Sequence, residues 1–340
     1  MQRLHCRIYA LPALLGLLLV LFSSSAMAQY QVRYLDADVA GKGTHLEPLL
    51  GDPWGLAYGP GGPFWISDES TGWSTLYNGA GIQQSLEVVV PTASGTGFGT
   101  PTGIVYNGSQ EFAIDSWVSV FLFATLDGSI QGWSDFNPGS TLVAATSSGA
   151  SYTGLAITNY AAGNSLFAAD SANNRVDIYD GNFNLTGSFT DTTLPPGFAP
   201  FGIQDIGGQV YVTFAATNGG SGGYIDIFTE SGVRVKQLVS NGLLNQPWGL
   251  AVAPGDFGPL SGALLVTNNT STGNIIGYNL TTGKLVGIAQ DSSGKNIKID
   301  GLWGIEFGGG SSNNGAKNQL FFTAGPNDYY GFFGVVGVAK

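Results

Sequence analysis

The sequence predicts an all-β fold, a six-bladed β-propeller with four-stranded antiparallel blades. A short glycine motif recurs six times, with spacings of 48, 51, 48, 47 and 55 residues between its glycines. Short β-branched and aromatic runs bounded by Gly, Asn and Asp follow each motif, which is typical of strands and hairpins. No helical period extends over three turns after residue 28. Repeats of this length favour a propeller over a solenoid, which has shorter units and capping repeats.

The recurring motif is a glycine inside an apolar segment, usually with proline two positions before it. Its copies are Pro53-Trp54-Gly55-Leu56, Pro101-Thr102-Gly103-Ile104, Tyr152-Thr153-Gly154-Leu155, Pro200-Phe201-Gly202-Ile203, Pro247-Trp248-Gly249-Leu250 and Leu302-Trp303-Gly304-Ile305. Each copy opens the innermost strand of a blade, where strands crowd around the axis. A residue without Cβ permits close backbone approach and unusual φ there.

The last unit is one strand short. It ends with the apolar run from Phe332 to Val338, close to the end of the chain. The run from Tyr30 to Tyr34 has the composition of a strand and has no unit of its own. We expect this N-terminal strand to complete the last blade and close the ring, which removes a sheet edge.

Residues 1–28 are predicted to be a signal peptide. Arg3 and Arg7 precede an apolar run from Tyr9 to Phe22, and Ala26-Met27-Ala28 matches the A-x-A cleavage pattern. The run is short for a membrane span, which needs roughly 20 residues, so an uncleaved anchor is the less favoured alternative. We therefore expect an exported protein, secreted or periplasmic. Residues 29–340 would form a single propeller domain without a membrane span.

Charge and cysteine content exclude several classes of function. Loss of residues 1–28 leaves 10 basic and 23 acidic residues, a net charge of −13. Nucleic acid would be repelled, because its recognition needs clustered Lys and Arg. Cys6, the only cysteine, lies in the predicted signal, so the mature chain would be disulfide-free. Thiolate catalysis and Cys-ligated zinc are excluded with it.

The repeats resemble NHL-type propellers and, more distantly, the gluconolactonase and paraoxonase type. The chain also resembles an uncharacterised family of exported bacterial propeller proteins. That resemblance rests on His45, Pro53-Trp54-Gly55-Leu56-Ala57, Gly62-Pro63-Phe64-Trp65, Ser74-Thr75-Leu76-Tyr77, Asp127-Gly128-Ser129-Ile130, Ala199-Pro200-Phe201-Gly202-Ile203, Gly301-Leu302-Trp303-Gly304 and Phe322-Thr323-Ala324-Gly325-Pro326. It implies a propeller and an exported location, and no particular activity.

The gluconolactonase resemblance would imply a calcium ion on the axis, held by Asn, Asp and Glu of inner strands. The typical place for such an Asn is the residue between proline and glycine of the motif. The six equivalents here are Trp54, Thr102, Thr153, Phe201, Trp248 and Trp303. None is a carboxylate or an amide, and a hard cation needs six or more oxygen ligands. We therefore expect no cofactor, with calcium as the alternative.

Three aspartates are weaker metal suspects. Asp68, Asp115 and Asp170 are expected to end the second strand in units one to three, with Asn268 near the equivalent point in unit five. They could form a ring of oxygen ligands. The favoured interpretation is that each bonds to the backbone of its own turn.

The six motif residues Trp54, Thr102, Thr153, Phe201, Trp248 and Trp303 are also the candidate ligand-binding residues. Aromatic faces suit sugars or apolar small molecules, although packing between blades is the favoured interpretation. His45, the only histidine after residue 28, stands alone in a loop without a G-x-S-x-G motif. No catalytic residue is therefore predicted.

The predicted function is a binding or scaffold module, with an unknown protein, glycan or small molecule as partner. Loops from every blade meet at the rims of a propeller, and such loops usually carry function. The alternative is a hydrolase or lyase acting on a small molecule or glycan at the axis. A cell-surface interaction protein is a third possibility.

Overall fold

The computed structural model describes residues 29–161 and 163–339. The predicted signal peptide, with Arg3, Cys6 and Arg7, lies outside these residues. The described chain forms six antiparallel blades in a ring, with two short 3₁₀ helices, Gly258–Leu260 and Pro326–Asp328. This confirms the predicted six-bladed propeller. Among the described residues, no helix has the length and apolar character needed to cross a membrane.

The blades follow one another along the chain, each from its inner to its outer strand. Blade 1 contains Pro53–Ala57, Phe64–Asp68, Trp73–Tyr77 and Val88–Val89. Blade 2 contains Pro101–Tyr106, Phe121–Thr125, Ser129–Trp133 and Leu142–Thr146. Blade 3 contains Tyr152–Ile157, Ser165–Asp170, Arg175–Asp180 and Leu185–Phe189. Blade 4 contains Phe198–Asp205, Gln209–Ala216, Gly223–Thr229 and Arg234–Ser240. Blade 5 contains Pro247–Val252, Ala263–Asn268, Ile275–Asn279 and Leu285–Ile288.

Blade 6 joins the two ends of the chain. Its inner strands are Leu302–Phe307, Leu320–Ala324 and Phe332–Val338. The N-terminal strand Tyr30–Ala37 pairs antiparallel with Phe332–Val338, as predicted, and a bulge separates Tyr34 from Asp36. The short strand His45–Leu46 lies parallel to the outer side of Tyr30–Ala37.

Tyr30 fastens this closing strand to the neighbouring blade. Its hydroxyl donates a hydrogen bond to the carbonyl of Phe257 (2.7 Å) and accepts one from the N–H of Leu260 (2.9 Å). Both partners lie in the connection between the first two strands of blade 5.

The hydrophobic core is divided among the gaps between blades. Each of the six gaps contains its own cluster of buried side chains, and a seventh cluster lies on the axis. Between blades 6 and 1, for example, the rings of Phe64, Phe321 and Phe333 pack with centroids 4.5 to 5.7 Å apart. Every blade thus makes apolar contacts with both of its neighbours. The aromatic residues of the repeat pack in these gaps between blades.

The motif glycines lie against the backbone of the next inner strand. A Cβ atom on Gly55 would lie 2.6 Å from the Thr102 carbonyl oxygen, and one on Gly304 would lie 2.6 Å from that of Trp54. A side chain at these positions would force neighbouring blades apart. The expected close approach is therefore confirmed. None of the six motif glycines has a positive φ, so the expectation of an unusual φ is wrong.

Blade 2 carries an inserted hairpin. The strands Ala113–Ile114 and Trp117–Val118 form a separate two-stranded sheet, and Asp115 lies in its turn with φ 50°. The prediction that Asp115 ends the second strand of its blade is wrong. Because the insertion delays the second strand, that strand runs from Phe121 and ends at Thr125.

Candidate functional site

Four aromatic side chains meet at the axis, at the end where the inner strands begin. Trp54, Phe201, Trp248 and Trp303 come from blades 1, 4, 5 and 6. The rings of Trp54 and Trp303 stack with centroids 3.7 Å apart, and Trp248 lies edge-on to them at 6.2 and 5.9 Å. No indole ring of this group is more than 9% exposed. We call these four residues the aromatic plug, since they fill this end of the axis.

The hydrogen-bond donors of the plug are used inside the protein. The Asp52 carboxylate accepts hydrogen bonds from Nε1 of both Trp54 and Trp303, each at 2.9 Å, and Nε1 of Trp248 donates to the Thr153 carbonyl at 2.9 Å. Burial raises the pKa of Asp52 to about 6, although the two indole hydrogen bonds lower it. The faces of these three indole rings are therefore mostly covered, and each N–H group already has an acceptor within the protein. Ligand binding by the predicted rim stays a prediction.

Thr102 and Thr153 take another role at the same motif position. The Thr102 hydroxyl donates to the carbonyl of Tyr152 in the next blade (2.6 Å), and the Thr153 hydroxyl donates to that of Phe201 (2.8 Å). In blades 4, 5 and 6 the motif residue is aromatic, and a threonine hydroxyl of the second strand makes the equivalent hydrogen bond to the next blade. Such bridges run from Thr213 to Pro247, from Thr267 to Trp303 and from Thr323 to Trp54.

The hydroxyl bridges therefore connect five of the six neighbouring pairs of blades. At the equivalent point of blade 1 stands Ser67, which is buried and whose hydroxyl has no hydrogen-bond partner. The two motif threonines, Thr102 and Thr153, therefore connect neighbouring blades by hydrogen bonds, a role that the motif alone did not predict.

The suspected metal ligands bond to their own blades. Asp68 ends a second strand and accepts hydrogen bonds from the N–H and hydroxyl of Thr75 (3.0 and 2.7 Å). Asp170 also ends a second strand and accepts from the N–H of Ser151 and the side-chain amide of Asn173 (3.1 and 2.7 Å). In residues 29–161 and 163–339, no group of three or more His, Cys, Asp or Glu side chains is placed to hold a metal ion.

His45 pairs with the closing strand. Its Nδ1 lies 3.1 Å from Oδ1 of Asp36, which is fully buried. Burial raises the pKa of Asp36 to about 8, and the nearby charge of Glu47 raises it further. The pair connects the strand His45–Leu46 to Tyr30–Ala37, so its visible role is structural.

The opposite end of the axis opens into a pocket of about 340 Å³, which we call the axial pocket. A narrow channel of about 40 Å³, walled by motif glycines, separates it from the plug. The ends of the inner strands form most of its wall. Its lining residues are Leu56, Ala57, Tyr58, Ile104, Val105, Tyr106, Ala156, Ile157, Asn159, Gln204, Asp205 and Glu306.

The polar residues of the axial pocket break the symmetry of the repeat. The position two residues after the motif glycine is occupied, in blade order, by Ala57, Val105, Ala156, Gln204, Ala251 and Glu306. The pairing of each residue with the second strand of its blade confirms that these positions are equivalent. Four blades place a small apolar side chain there, whereas blades 4 and 6 place an amide and a carboxyl group.

Several of these polar groups have no side-chain partner in the described part of the chain, although the backbone N–H of Phe307 interacts with the Glu306 carboxylate. Among the described residues, no side chain forms a hydrogen bond with the Glu306 carboxylate, the Gln204 amide or the hydroxyls of Tyr58 and Tyr106. All four residues line the pocket and are partly exposed to it. Groups without a side-chain partner that converge on one pocket are therefore available to a ligand or to solvent.

The ionisation of the pocket is also shifted. Burial raises the pKa of Glu306 to about 7, while the N–H of Phe307 lowers it. Burial raises the pKa of Tyr58 to about 12, with a further increase from the Glu306 charge. Burial likewise raises the pKa of Asp205, against a hydrogen bond from the N–H of Gly208. Glu306 would therefore change its charge near neutral pH.

Reasoning from the sequence missed the axial pocket. The signal was present in the repeat alignment, where Gln204 and Glu306 stand in a column of alanine and valine. The motif itself ends at the residue after the glycine, so it does not include this position.

The chain is similar to uncharacterised proteins of Acanthamoeba polyphaga mimivirus. One is 29% identical over 327 residues, which cover 88% of this chain and 78% of the relative. Another is 29% identical over 307 residues (82% and 79%), and a third is 34% identical over 228 residues (60% and 42%). No protein-family profile matches the chain. Because these relatives are viral, the expected membership of a bacterial family is not supported.

Solved structures with the same fold include enzymes. A streptogramin B lyase superposes with a TM-score of 0.56 at 12% identity, covering 93% of this chain and all of the lyase. A gluconolactonase from Xanthomonas campestris gives 0.56 at 13% identity, covering 92% of each chain. A virginiamycin B lyase from Staphylococcus aureus gives 0.53 at 14% identity, covering 92% of this chain and all of the lyase. At these identities the similarity shows the propeller fold alone, and it agrees with the expected likeness to gluconolactonase-type propellers.

Proposed function

We propose that this protein is a binding module that holds a small organic molecule in the axial pocket. The observation that carries the proposal is the departure of Gln204 and Glu306 from the repeat. A carboxyl group at a position where other blades place alanine or valine incurs a desolvation cost. Such costly exceptions to a local rule are typical of functional sites.

The size and chemistry of the pocket support this proposal. Its volume of about 340 Å³ lies at the lower end of the range of small-molecule sites, roughly 300 to 1,000 Å³. Apolar walls with a few convergent polar groups are the usual composition of such sites. The pocket is formed by strand ends on five blades, so its geometry is held by the ring and not by one loop.

The proposal includes an exported location, since residues 1–28 have the pattern of a signal peptide. Expression of the full chain in a bacterial host, followed by fractionation and N-terminal sequencing, tests this part. A mature protein that begins at Gln29 outside the cytoplasm is expected. A full-length protein retained in the cytoplasm would overturn it.

A ligand screen tests the binding function. We expect compounds from a small-molecule library to raise the melting temperature and to show saturation-transfer NMR signals with the purified protein. Ala57→Trp should abolish both effects, because the indole would fill the pocket. Val233→Trp is the matched control, since Val233 is 62% exposed on blade 4 and does not line the pocket. Hits that survive Ala57→Trp, or a large library without a hit, would overturn the proposal.

A hydrolase or lyase activity in the same pocket is the second candidate. The observation that favours it is the position of the Glu306 carboxyl group in the pocket wall, where burial raises its pKa to about 7, a value that suits proton transfer near neutral pH. Mass spectrometry of each hit after incubation with the protein tests this candidate. A product whose formation stops in Glu306→Gln, while the compound still binds, would support it. Unchanged compounds after long incubation would exclude catalysis on them.

A further inference from the structure

The charges of the axial pocket narrow the chemistry of its ligand. Glu306 and Asp205 line the pocket, and no Lys, Arg or His is among the lining residues. An anion would meet two carboxyl groups without a compensating cation, at short range and with limited screening by solvent. Anionic ligands are therefore disfavoured.

A bare metal cation fits the pocket poorly. Calcium takes six to eight oxygen ligands, and Mg²⁺ demands six in a near-octahedral arrangement. The pocket offers two carboxyl groups on different blades, and the described residues contain no cluster of three or more potential ligands. The other polar side chains of the lining are neutral: the amides of Asn159 and Gln204 and the hydroxyls of Tyr58 and Tyr106. The Asn159 Oδ1 already accepts the N–H of Gly108 at 2.9 Å, and the remaining walls are apolar.

The aromatic groups favour an organic cation instead. The Tyr106 ring packs edge-on against Phe121 at a centroid distance of 5.7 Å, and it lies close to Gly59, where an added Cβ atom would be 2.9 Å from Cε2 of the ring. The Tyr58 ring packs edge-on against Phe64 at 5.2 Å. Tyrosine rings within about 6 Å of an ammonium group attract it through their π-electrons. Tyr58 lies close enough to Glu306 for the carboxylate charge to raise its pKa, and Tyr106 lines the same pocket.

We propose that the axial pocket binds a small amine or quaternary ammonium compound with an apolar ring or chain. The ammonium group would lie between Glu306 and the two tyrosines, and the apolar part would contact the walls formed by Ile104, Val105 and Ile157. This inference rests on the proposed function and specifies its ligand class.

The inference predicts how affinity depends on pH. A nearby cation favours the charged form of Glu306, so the cation should bind more tightly as pH rises through the pKa of that group. Between pH 6 and pH 8 the affinity should rise about tenfold if only the ionised carboxylate binds. A quaternary ammonium compound should keep this affinity above pH 9, where a primary amine begins to lose its proton.

Four matched probes test the inference by titration calorimetry. They are 2-phenylethylamine, benzyltrimethylammonium, the neutral 2-phenylethanol and the anion phenylacetate. We expect the two cations to bind at least tenfold more tightly than the alcohol and phenylacetate not to bind. Glu306→Gln should remove this preference and its pH dependence. Glu87→Gln, which removes the same charge from an exposed loop, should change neither.

The outcomes separate this inference from the proposed function. Equal binding of 2-phenylethanol and the amine, lost in Ala57→Trp, would overturn the cationic ligand and leave the binding function intact. Amine binding that survives both Glu306→Gln and Ala57→Trp would indicate attraction to the acidic surface and overturn the inference. Absence of binding by all four probes, together with a library without hits, would overturn both.

Discussion

Thr323 in the last blade donates its hydroxyl hydrogen to the backbone carbonyl of Trp54 in the first blade. The same hydroxyl accepts the N–H of Gly304 at 2.9 Å. The ring is therefore closed twice, once at its outer edge by the N-terminal strand and once beside the axis by a threonine.

Thr323→Val keeps the volume of the side chain and leaves two buried backbone groups without a partner. We expect the free energy of unfolding to fall by about 2 to 4 kcal/mol, because each unpaired group costs about 1 to 3 kcal/mol. Ser67→Ala is the control, since the hydroxyl of Ser67 has no partner and its loss should change stability by less than about 0.5 kcal/mol. Urea denaturation of the two variants measures the difference. Equal destabilisation would contradict the role of the bridge.

The aromatic plug should contribute to stability in two separable ways. Trp248→Phe retains most of the ring and loses the hydrogen bond to Thr153, so we expect a loss of about 1 kcal/mol. Trp248→Ala also leaves a cavity in the cluster and should cost about 3 to 5 kcal/mol. Thermal denaturation followed by circular dichroism compares them. A mild effect of Trp248→Ala would mean that the ring contributes little packing and would reopen the sugar-binding rim.

Stability should fall as pH rises from 4 to 8. Burial raises the pKa of Asp52 to about 6, those of Glu69, Asp226 and Glu306 to about 7, and that of Asp36 to about 8. The folded protein then holds protons that the unfolded chain has released, so the free energy of unfolding decreases with pH in this window.

The measurement is a series of melting curves between pH 4 and pH 8.5. We expect the melting temperature to be roughly 5 to 10 °C lower at pH 8 than at pH 5. Asp226→Asn should flatten the upper part of the curve, because it removes one of the groups with a raised pKa. Glu87→Gln is the control, since Glu87 is exposed and its substitution should leave the shape of the curve unchanged. A melting temperature that rises with pH would contradict the raised pKa values of these carboxyl groups.

The hairpin turn of blade 2 should be improved by glycine. Ser116 has a φ of 72°, a conformation that costs a residue with Cβ about 1 to 2 kcal/mol. Ser116→Gly should therefore stabilise the protein by up to about 1 kcal/mol, whereas Ser116→Val should destabilise it by a similar amount. Ser85, which is exposed and has no positive φ, is the control, and Ser85→Gly should not stabilise. Chemical denaturation that ranks Ser116→Gly below the parent would refute this expectation.

The propeller could be predicted because its signal is repeated. Six glycine motifs at similar spacings gave the number of blades, and an unassigned strand at Tyr30 gave the partner of Phe332–Val338. The second strand of blade 2 was misplaced at Asp115, because the insertion contains a short strand and turn of its own. The repeat predicts the strands that all blades share, and it gives a wrong strand position where one blade carries an insertion.

The candidate site was harder to predict for a related reason. Trp54, Trp248 and Trp303 are conspicuous in the sequence, yet most of their surface is covered in the fold. Glu306 is one carboxyl group among many, and its pocket forms only when blades 1 to 4 and blade 6 surround the axis. Neither the burial of the indoles nor the position of Glu306 in a pocket without a side-chain partner is visible before the ring is assembled.

The pairing of Tyr30–Ala37 with Phe332–Val338 determines when the ring can close during synthesis of the chain. A ribosome adds roughly 5 to 20 residues per second, so tens of seconds separate the synthesis of these two strands. During that interval Tyr30–Ala37 lacks its antiparallel partner and can pair only with the two residues of His45–Leu46. The ring is completed only when Phe332–Val338 pairs with Tyr30–Ala37, about 300 residues before it in the chain. Such long-range pairing is expected to make ring closure a slow step of folding.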